Sequence, residues 1–295
     1  MKVAIVDVGS NSVRLLVASV HARGEVKEVR RERDYLRLGD DAYRLGRISD
    51  AKLDELGTIT RRYARIARKR GVERLTTIVT APGRQASNPN ELLEVIAAAT
   101  DAPVELLSAE EEGALAWEGA VAGMDPSTGA VAVIDLGGGS CEVAVGAPAD
   151  GVEWVRSRDA GALRVTRSFL GEAPLTVGRV WAAREEVRGL LDALDPPRAE
   201  HALAVGGTAR ALGRILGKRF DADDLDDLVL RLVVDGVERA IAGTSITPER
   251  AQTLLGGTLV LAELADRLGR PLRVGRGGLR EGAALALARD AALVA

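Results

Sequence analysis

Cysteine, histidine, aromatic residues and long apolar runs are all scarce in this chain, and each scarcity closes off a class of function. Cys141 is the single cysteine, so no intrachain disulfide and no thiolate metal cluster can form. The two histidines, His21 and His201, have no second histidine or cysteine beside them, which leaves no zinc site of the usual ligand types. Any metal is then expected to be a hard, oxygen-liganded ion such as Mg²⁺. Aromatic residues make up 3% of the chain, too few for the stacking platforms of single-strand binders, and no nucleic acid is expected as a partner. The longest apolar runs, such as residues 3–6 and 130–134, are far below bilayer-spanning length, and the N-terminus lacks a signal-peptide pattern. We therefore expect a soluble, cytoplasmic protein with no membrane partner.

What remains is a chain of 295 residues with 46% hydrophobic residues, enough for two domains with real cores. The net charge is −3, and nearly all basic residues are arginine. Planar guanidinium groups suit phosphate, although solvated helix faces account for many of them.

The strongest signal is a repeat. VAIVDVGSNSVRLLVA at residues 3–18 and VAVIDLGGGSCEVAVG at 131–146 share one pattern, with Asp7 matching Asp135. Each is an apolar run ending in Asp, a short Gly/Ser/Asn loop, and a second apolar run. Strands are expected at 3–7, 12–20 and 26–33, then a helix at 51–69, a strand at 75–80, a helix at 90–99 and a strand at 104–107. A helix at 110–121 follows, with Ser108 as cap and Glu111 three residues on. The turn-rich MDPSTG segment marks a boundary, giving domains 1–124 and 125–295. The plan then restarts: strands near 131–135, 140–146 and 152–157, a helix at 176–194, a strand at 202–205, and a helix opened by Gly206, Gly207 and Thr208. Helices at 223–242 and 248–268, a strand at 272–274 and a helix from Leu279 close the chain. This is a duplicated α/β fold, with one loop expected on each wall of an interdomain cleft.

In the first loop Gly9 is expected to permit a tight turn, while backbone amides and the side chains of Ser10, Asn11 and Ser12 converge on an anion. In the second, Gly137, Gly138, Gly139 and Ser140 do the same with less side-chain help. Asp7 and Asp135 would repel a bare phosphate, so they are read as holding Mg²⁺ or its waters, or as orienting the turn. Gly206, Gly207 and Thr208 offer a third anion site at a helix start. Glu110, Glu111 and Glu112 suit a helix N-terminus through its dipole, and one of them is the natural proton acceptor for an attacking water where no histidine is near. After the strand at 75–80, Pro82 and Gly83 are expected to form a turn from which Arg84 reaches a phosphate. Cys141 and Trp117 are expected to be core residues, and both histidines peripheral.

DVGSNSVRL at 7–15, DLGGGSCE at 135–142, VGGTARAL at 205–212, RAQTLLGGTLVLAELADRLG at 250–269 and GGLREGA at 277–283 together resemble the exopolyphosphatase and guanosine pentaphosphate phosphohydrolase family. That resemblance spans essentially the whole chain. It implies duplicated actin-like ATPase (ribonuclease H-like) domains and Mg²⁺-dependent removal of the terminal phosphate of inorganic polyphosphate. It further implies Glu112 as the catalytic glutamate with Glu111 as neighbour, Asp135 and Glu142 as the Mg²⁺ pair, and Arg84 and Asn88 as substrate-binding. The family's Thr-Ser-Ala-Leu-Arg-like helix entry is TAPGR here. The short, two-domain type implies shorter polymers. Rival readings are hydrolysis of guanosine pentaphosphate, an ATP-dependent kinase of the same superfamily, and a non-catalytic polyphosphate or alarmone sensor. Expected partners are a phosphorylated small molecule or polymer and at most a second copy of the chain, as a homodimer.

Overall fold

The computed structural model describes residues 1–21, 24–171 and 175–294. It divides into two compact units, Met1–Met124 with Gly277–Ala295, and Asp125–Arg276. The first unit opens with strands β1 (Lys2–Val8), β2 (Val13–Val20) and β3 (Val26–Asp34), an antiparallel meander. Helices α1 (Leu38–Leu45) and α2 (Asp50–Lys69) lead to β4 (Arg74–Val79), which lies parallel to β1. Then come α3 (Ala81–Gln85), α4 (Pro89–Thr100), β5 (Val104–Leu106) parallel to β4, and α5 (Ala109–Val121). The sheet order is β3-β2-β1-β4-β5. Strand β1 is apolar on both faces because both are covered. Ala4, Val6 and Val8 join Leu56, Tyr63, Leu92 and Ile96 of α2 and α4 in one cluster. Val3 and Ile5 point the other way, as strand periodicity requires, and belong to a second cluster that includes Ala116 of α5.

The second unit repeats this plan with β6 (Val131–Leu136), β7 (Cys141–Ala147) and β8 (Gly151–Arg158) as the meander. A short α6 (Ala162–Val165) runs into a π-helical stretch at Thr166–Leu170, followed by α7 (Val177–Leu191). Strand β9 (His201–Val205) lies parallel to β6 and feeds α8 (Gly206–Ile215). Strand β10 (Arg219–Phe220), helices α9 (Ala222–Val234), α10 (Val237–Ala240), α11 (Pro248–Ala251) and α12 (Leu254–Leu268), and strand β11 (Leu272–Val274) complete it. The sheet order is β10-β11-β9-β6-β7-β8, so β8-β7-β6-β9-β11 reproduces the first sheet with β10 added at the edge. The expected helices at 223–242 and 248–268 are each broken in two. Gly236 and Gly243 take positive φ between α9 and α11, and Thr253 separates α11 from α12. Inside this unit Glu263 is almost fully buried, and two arginines offset its charge: Arg184 Nε at 2.6 Å and Arg188 Nε at 3.3 Å.

The chain then returns. Helix α13 (Leu279–Val294) packs on the first unit, where Leu279, Ala283 and Ala284 complete the cluster of Val3, Ile5 and Ala116. The expected second domain of 125–295 is thus corrected: it ends at residue 276, because the second face of the first sheet needs two helices and α5 supplies only one. The contact with α5 is backbone against backbone. A Cβ on Gly119 would collide with the Gly278 carbonyl, and one on Gly282 with the Leu115 carbonyl. Among the described residues no helix is long and apolar enough to cross a membrane. Replacing glycine by alanine inside a helix ordinarily adds stability, by about 0.5–1 kcal/mol. Gly282→Ala is expected to do the reverse and to lower unfolding free energy by about 1–3 kcal/mol in urea denaturation; a gain would contradict the close crossing of α5 and α13.

Candidate functional site

The two glycine-containing loops are the same object built twice. Residues 9–12 join β1 to β2 after the pair Val8↔Val13, and Gly9 N–H donates to Ser12 O at 3.2 Å. Residues 137–140 join β6 to β7 after Leu136↔Cys141, and Gly137 N–H donates to Ser140 O at 3.1 Å. In both loops the carbonyls are pulled toward the segment that starts the next helix. Ser10 O accepts from Gly39 N–H at 2.8 Å and Asn11 O from Arg37 N–H at 3.2 Å. At the matching positions Gly138 O accepts from Leu163 and Arg164 N–H, both at 3.0 Å, and Gly139 O from Arg164 Nε at 3.2 Å. The amides of Ser10, Asn11, Gly138 and Gly139 donate to no backbone carbonyl among the described residues, which is the donor arrangement an anion needs. The Ser10 hydroxyl adds a second sign: it is buried and has no hydrogen-bond partner among the described residues.

Glycine serves these loops differently from expectation. Neither Gly9 nor Gly137 has positive φ, so tight-turn backbone is not what the residue supplies. A Cβ on Gly9 would meet only ordinary contacts, and one on Gly137 would sit a tight 3.1 Å from Ser140 O, so the severe crowding lies beside the second loop rather than in it. A Cβ on Gly161 would collide with Gly138, showing how closely the second loop is pressed onto the start of α6.

Position by position the repeats then diverge in charge. Asp7 faces Arg14 across the first hairpin, and Asp135 faces Glu142 across the second. Directly opposed residues share a face of the sheet. In the first unit Asp7 thus lies with a guanidinium opposite, and Arg280 Nε of α13 is 3.7 Å from its Oδ2; Arg14 itself donates from Nε to Ser12 Oγ at 3.0 Å. In the second unit two carboxylates share one face. Glu142 is 1% exposed and its Oε1 accepts from Ser157 Oγ at 2.8 Å, while Asp135 Oδ1 lies beside the backbone of Gly206, which has φ +91°. Burial, and after it the charges of Glu142 and Asp135, push the Cys141 thiol well above its usual pKa, so it is an inert core residue as expected. Among the described residues no group of three or more His, Cys, Asp or Glu side chains gathers. A hard cation would therefore use this carboxylate pair plus water and phosphate oxygens, a donor set that suits Mg²⁺.

The glutamates of α5 divide their roles. Ser108 Oγ accepts from Glu111 N–H at 3.1 Å and Glu111 Oε2 accepts from Ser108 N–H at 2.8 Å, the expected capping box. Those bonds hold the Glu111 carboxyl below its usual pKa. Glu112 turns inward instead: it is 6% exposed, and Arg84 Nη1 lies 2.8 Å from its Oε2 while donating to Leu107 O at 2.9 Å. Arg84 is aimed by α3. Pro82 and Gly83, expected to form a turn, lie inside this short helix, since Pro is tolerated in a first turn and Gly83 is squeezed between Val79 and Leu106.

Two expected phosphate-binding residues are placed elsewhere. Asn88 is buried with its amide occupied: Oδ1 accepts from Ile48 N–H at 2.8 Å, and Nδ2 donates to Ile48 O at 3.0 Å and Glu91 Oε2 at 2.8 Å. A buried amide has to satisfy both ends, and here it ties two chain segments together. Thr208 is likewise turned into the core, its side chain against Gly257 of α12. Gly206 and Gly207 do open α8, and a Cβ on Gly207 would collide with the buried Arg250 guanidinium. Arg14, Arg250 and Arg280 were not singled out by sequence reasoning, although each lies inside a motif quoted above. The usable signal was an arginine within or beside a glycine or aspartate motif.

Comparison with known proteins accords with this geometry. The model of the Ppx/GppA phosphatase family matches residues 16–290. Exopolyphosphatase 2 of Mycobacterium tuberculosis is 30% identical, with 97% of this chain and 98% of that protein covered. The crystal structure of the Aquifex aeolicus Ppx/GppA family member has 25% identity and a TM-score of 0.81, covering 98% of both chains. The crystal structure of an exopolyphosphatase-like protein has 27% identity and a TM-score of 0.84, covering 100% of this chain and 99% of the other. The duplicated α/β, actin-like fold expected from the sequence is thereby borne out.

Because the Glu111 carboxyl has a lowered pKa, its charged form adds stability above its unfolded value of 4.5, and that increment is lost as pH falls through the lowered folded value. Glu111→Gln is expected to reduce unfolding free energy by about 0.5 kcal/mol at pH 7. The difference from wild type should vanish in acid; a constant difference from pH 7 to pH 3 would contradict the capping role.

Proposed function

The chain belongs to the Ppx/GppA phosphatase family of phosphoanhydride hydrolases, and from that premise we propose that it is a cytoplasmic exopolyphosphatase. It releases the terminal phosphate of inorganic polyphosphate, short chains above all, in a Mg²⁺-dependent reaction. The observation that carries this reading is the buried Glu112 carboxylate. It is steadied by Arg84 and kept apart from the capping work done by Glu111, in a chain whose two histidines lie outside the motif loops.

In this mechanism loop amides and the Ser10 hydroxyl bind the phosphate chain, and Glu112 serves the attacking water. Water attacks the terminal phosphorus while a Glu112 oxygen accepts its proton. The bridging P–O bond breaks, one orthophosphate leaves, and the remaining chain is shorter by one unit. Loop amides stabilise the charge on the equatorial oxygens, and Arg84 orients the carboxylate of Glu112. Asp135 and Glu142 would hold Mg²⁺, which when bound supplies neutralisation of phosphate charge.

Glu112→Gln is expected to keep substrate affinity and to lower kcat by about 100-fold or more, measured as phosphate release alongside equilibrium binding. Equal turnover in wild type and variant would remove Glu112 from the mechanism. The wider test is phosphate release from short polyphosphate, long polyphosphate and guanosine pentaphosphate, each with and without Mg²⁺. Release from polyphosphate that requires Mg²⁺ supports the proposal; release from guanosine pentaphosphate alone reassigns the substrate. Tight binding without release makes the protein a sensor.

A further inference from the structure

A second concentration of positive charge lies in the Asp125–Arg276 unit, away from its phosphate loop. A cavity of about 290 Å³ is lined by Arg219, Arg270 and Arg273 together with His201, Glu200 and the turn at Pro271. Strand β9 separates the two regions: His201 begins it at the cavity, and Val205 ends it just before Gly206. Four strand rises of about 3.3 Å put them ~13 Å apart along the strand.

The charges here are poorly compensated by the protein. Arg219 and Arg273 are directly opposed in the antiparallel pair of β10 and β11, an arrangement of like charges that costs stability. None of Arg219, Arg270 and Arg273 makes a side-chain hydrogen bond or ion pair among the described residues, whereas Arg31, Arg84, Arg184, Arg188 and Arg267 all reach carboxylates. Glu200 is the one carboxylate on the lining, and it is folded against Gly129, where a Cβ would collide with it. A mono-anion would leave most of this charge unanswered. Three guanidinium groups around one small cavity match a compact ligand with several phosphate oxygens, which Arg engages bidentately.

We propose that this cavity is an accessory binding site for condensed phosphate, a run of two or more anhydride-linked phosphoryl groups, separate from the catalytic loops. Two sources carry that chemistry, the end of an inorganic polyphosphate chain and the triphosphate of a nucleotide. Binding needs no turnover, so its failure and the failure of the hydrolase assignment are read separately.

The chain contains only two histidines, which makes the test direct. Imidazole resonances of the intact protein are followed by NMR during titration with imidodiphosphate, whose P–N–P bridge resists hydrolysis, with His21→Gln used for assignment. The His201 signal is expected to move saturably while His21 stays still. Arg219→Ser/Arg273→Ser should weaken that response about tenfold or more and leave phosphate release at the catalytic site unchanged. The same variant should unfold no earlier than wild type in low-salt buffer, since it relieves the opposed pair, and should lose the stabilisation that imidodiphosphate gives wild type. A nucleotide analogue with a β,γ-imido bridge that moves His201 equally identifies the condensed phosphate as the recognised unit. No movement of His201, an equal response in the double variant, an equal response to sulfate, or a response to the nucleotide analogue alone would each overturn the proposal.

Discussion

Hydrogen bonds from Ala162, Leu163 and Arg164 to the carbonyls of Gly137 and Gly138 set the direction of the second loop, and those from Arg37 and Gly39 do the same for the first. A peptide unit points its carbonyl and its amide in opposite directions, so fixing the carbonyls fixes the donors. Everything attributed to these loops depends on that orientation. It explains why each loop is followed by a short helix at the end of the meander, and why Gly161 has no side chain where it meets Gly138. The Arg37 backbone takes φ +55°, rare for a residue with a side chain, to present its N–H to Asn11.

Duplication supplied two equal scaffolds, and the cross-strand residue opposite each aspartate makes them unequal. Arg14 opposite Asp7 gives a balanced pair suited to an anion; Glu142 opposite Asp135 gives a doubly acidic pair suited to a cation. Under the proposed function, that one position in the repeat would set which loop binds phosphate and which holds the metal. Glu112 and Arg84 belong to neither glycine loop. They come from the strand–helix connections that follow β4 and β5, and the ion pair between them lets a buried carboxylate remain in place without a histidine partner.

Much of this was legible because local physics was sufficient. The first two strands of each meander are apolar runs joined by small polar residues, and the Ser108–Glu111 box is written in four consecutive positions. Other features depended on distant partners. Nothing local in α13 says which sheet lacks a cover, so its return to the first unit was hidden. Pro82 and Gly83 read as a turn because Val79 and Leu106, which require the glycine, are assigned only by tertiary packing. Asn88, substrate-binding by resemblance, has its amide tied to the backbone of Ile48, forty residues earlier, a partner that no local pattern announces. Arg250 and Arg280 were lost among many arginines; their burial, which marks them beyond their place in a motif, is decided only by tertiary packing.

The returning helix also reorders events during synthesis. Residues 125–276 form a contiguous unit that can close as soon as it has left the ribosome, yet the earlier 124 residues wait for Leu279, Ala283 and Ala284 to cover Val3 and Ile5. At ordinary rates of chain elongation that wait lasts on the order of ten seconds or more. The first sheet, with its apolar β1, is therefore the part of the nascent chain left bare longest, and the segment for which a chaperone would have the greatest opportunity.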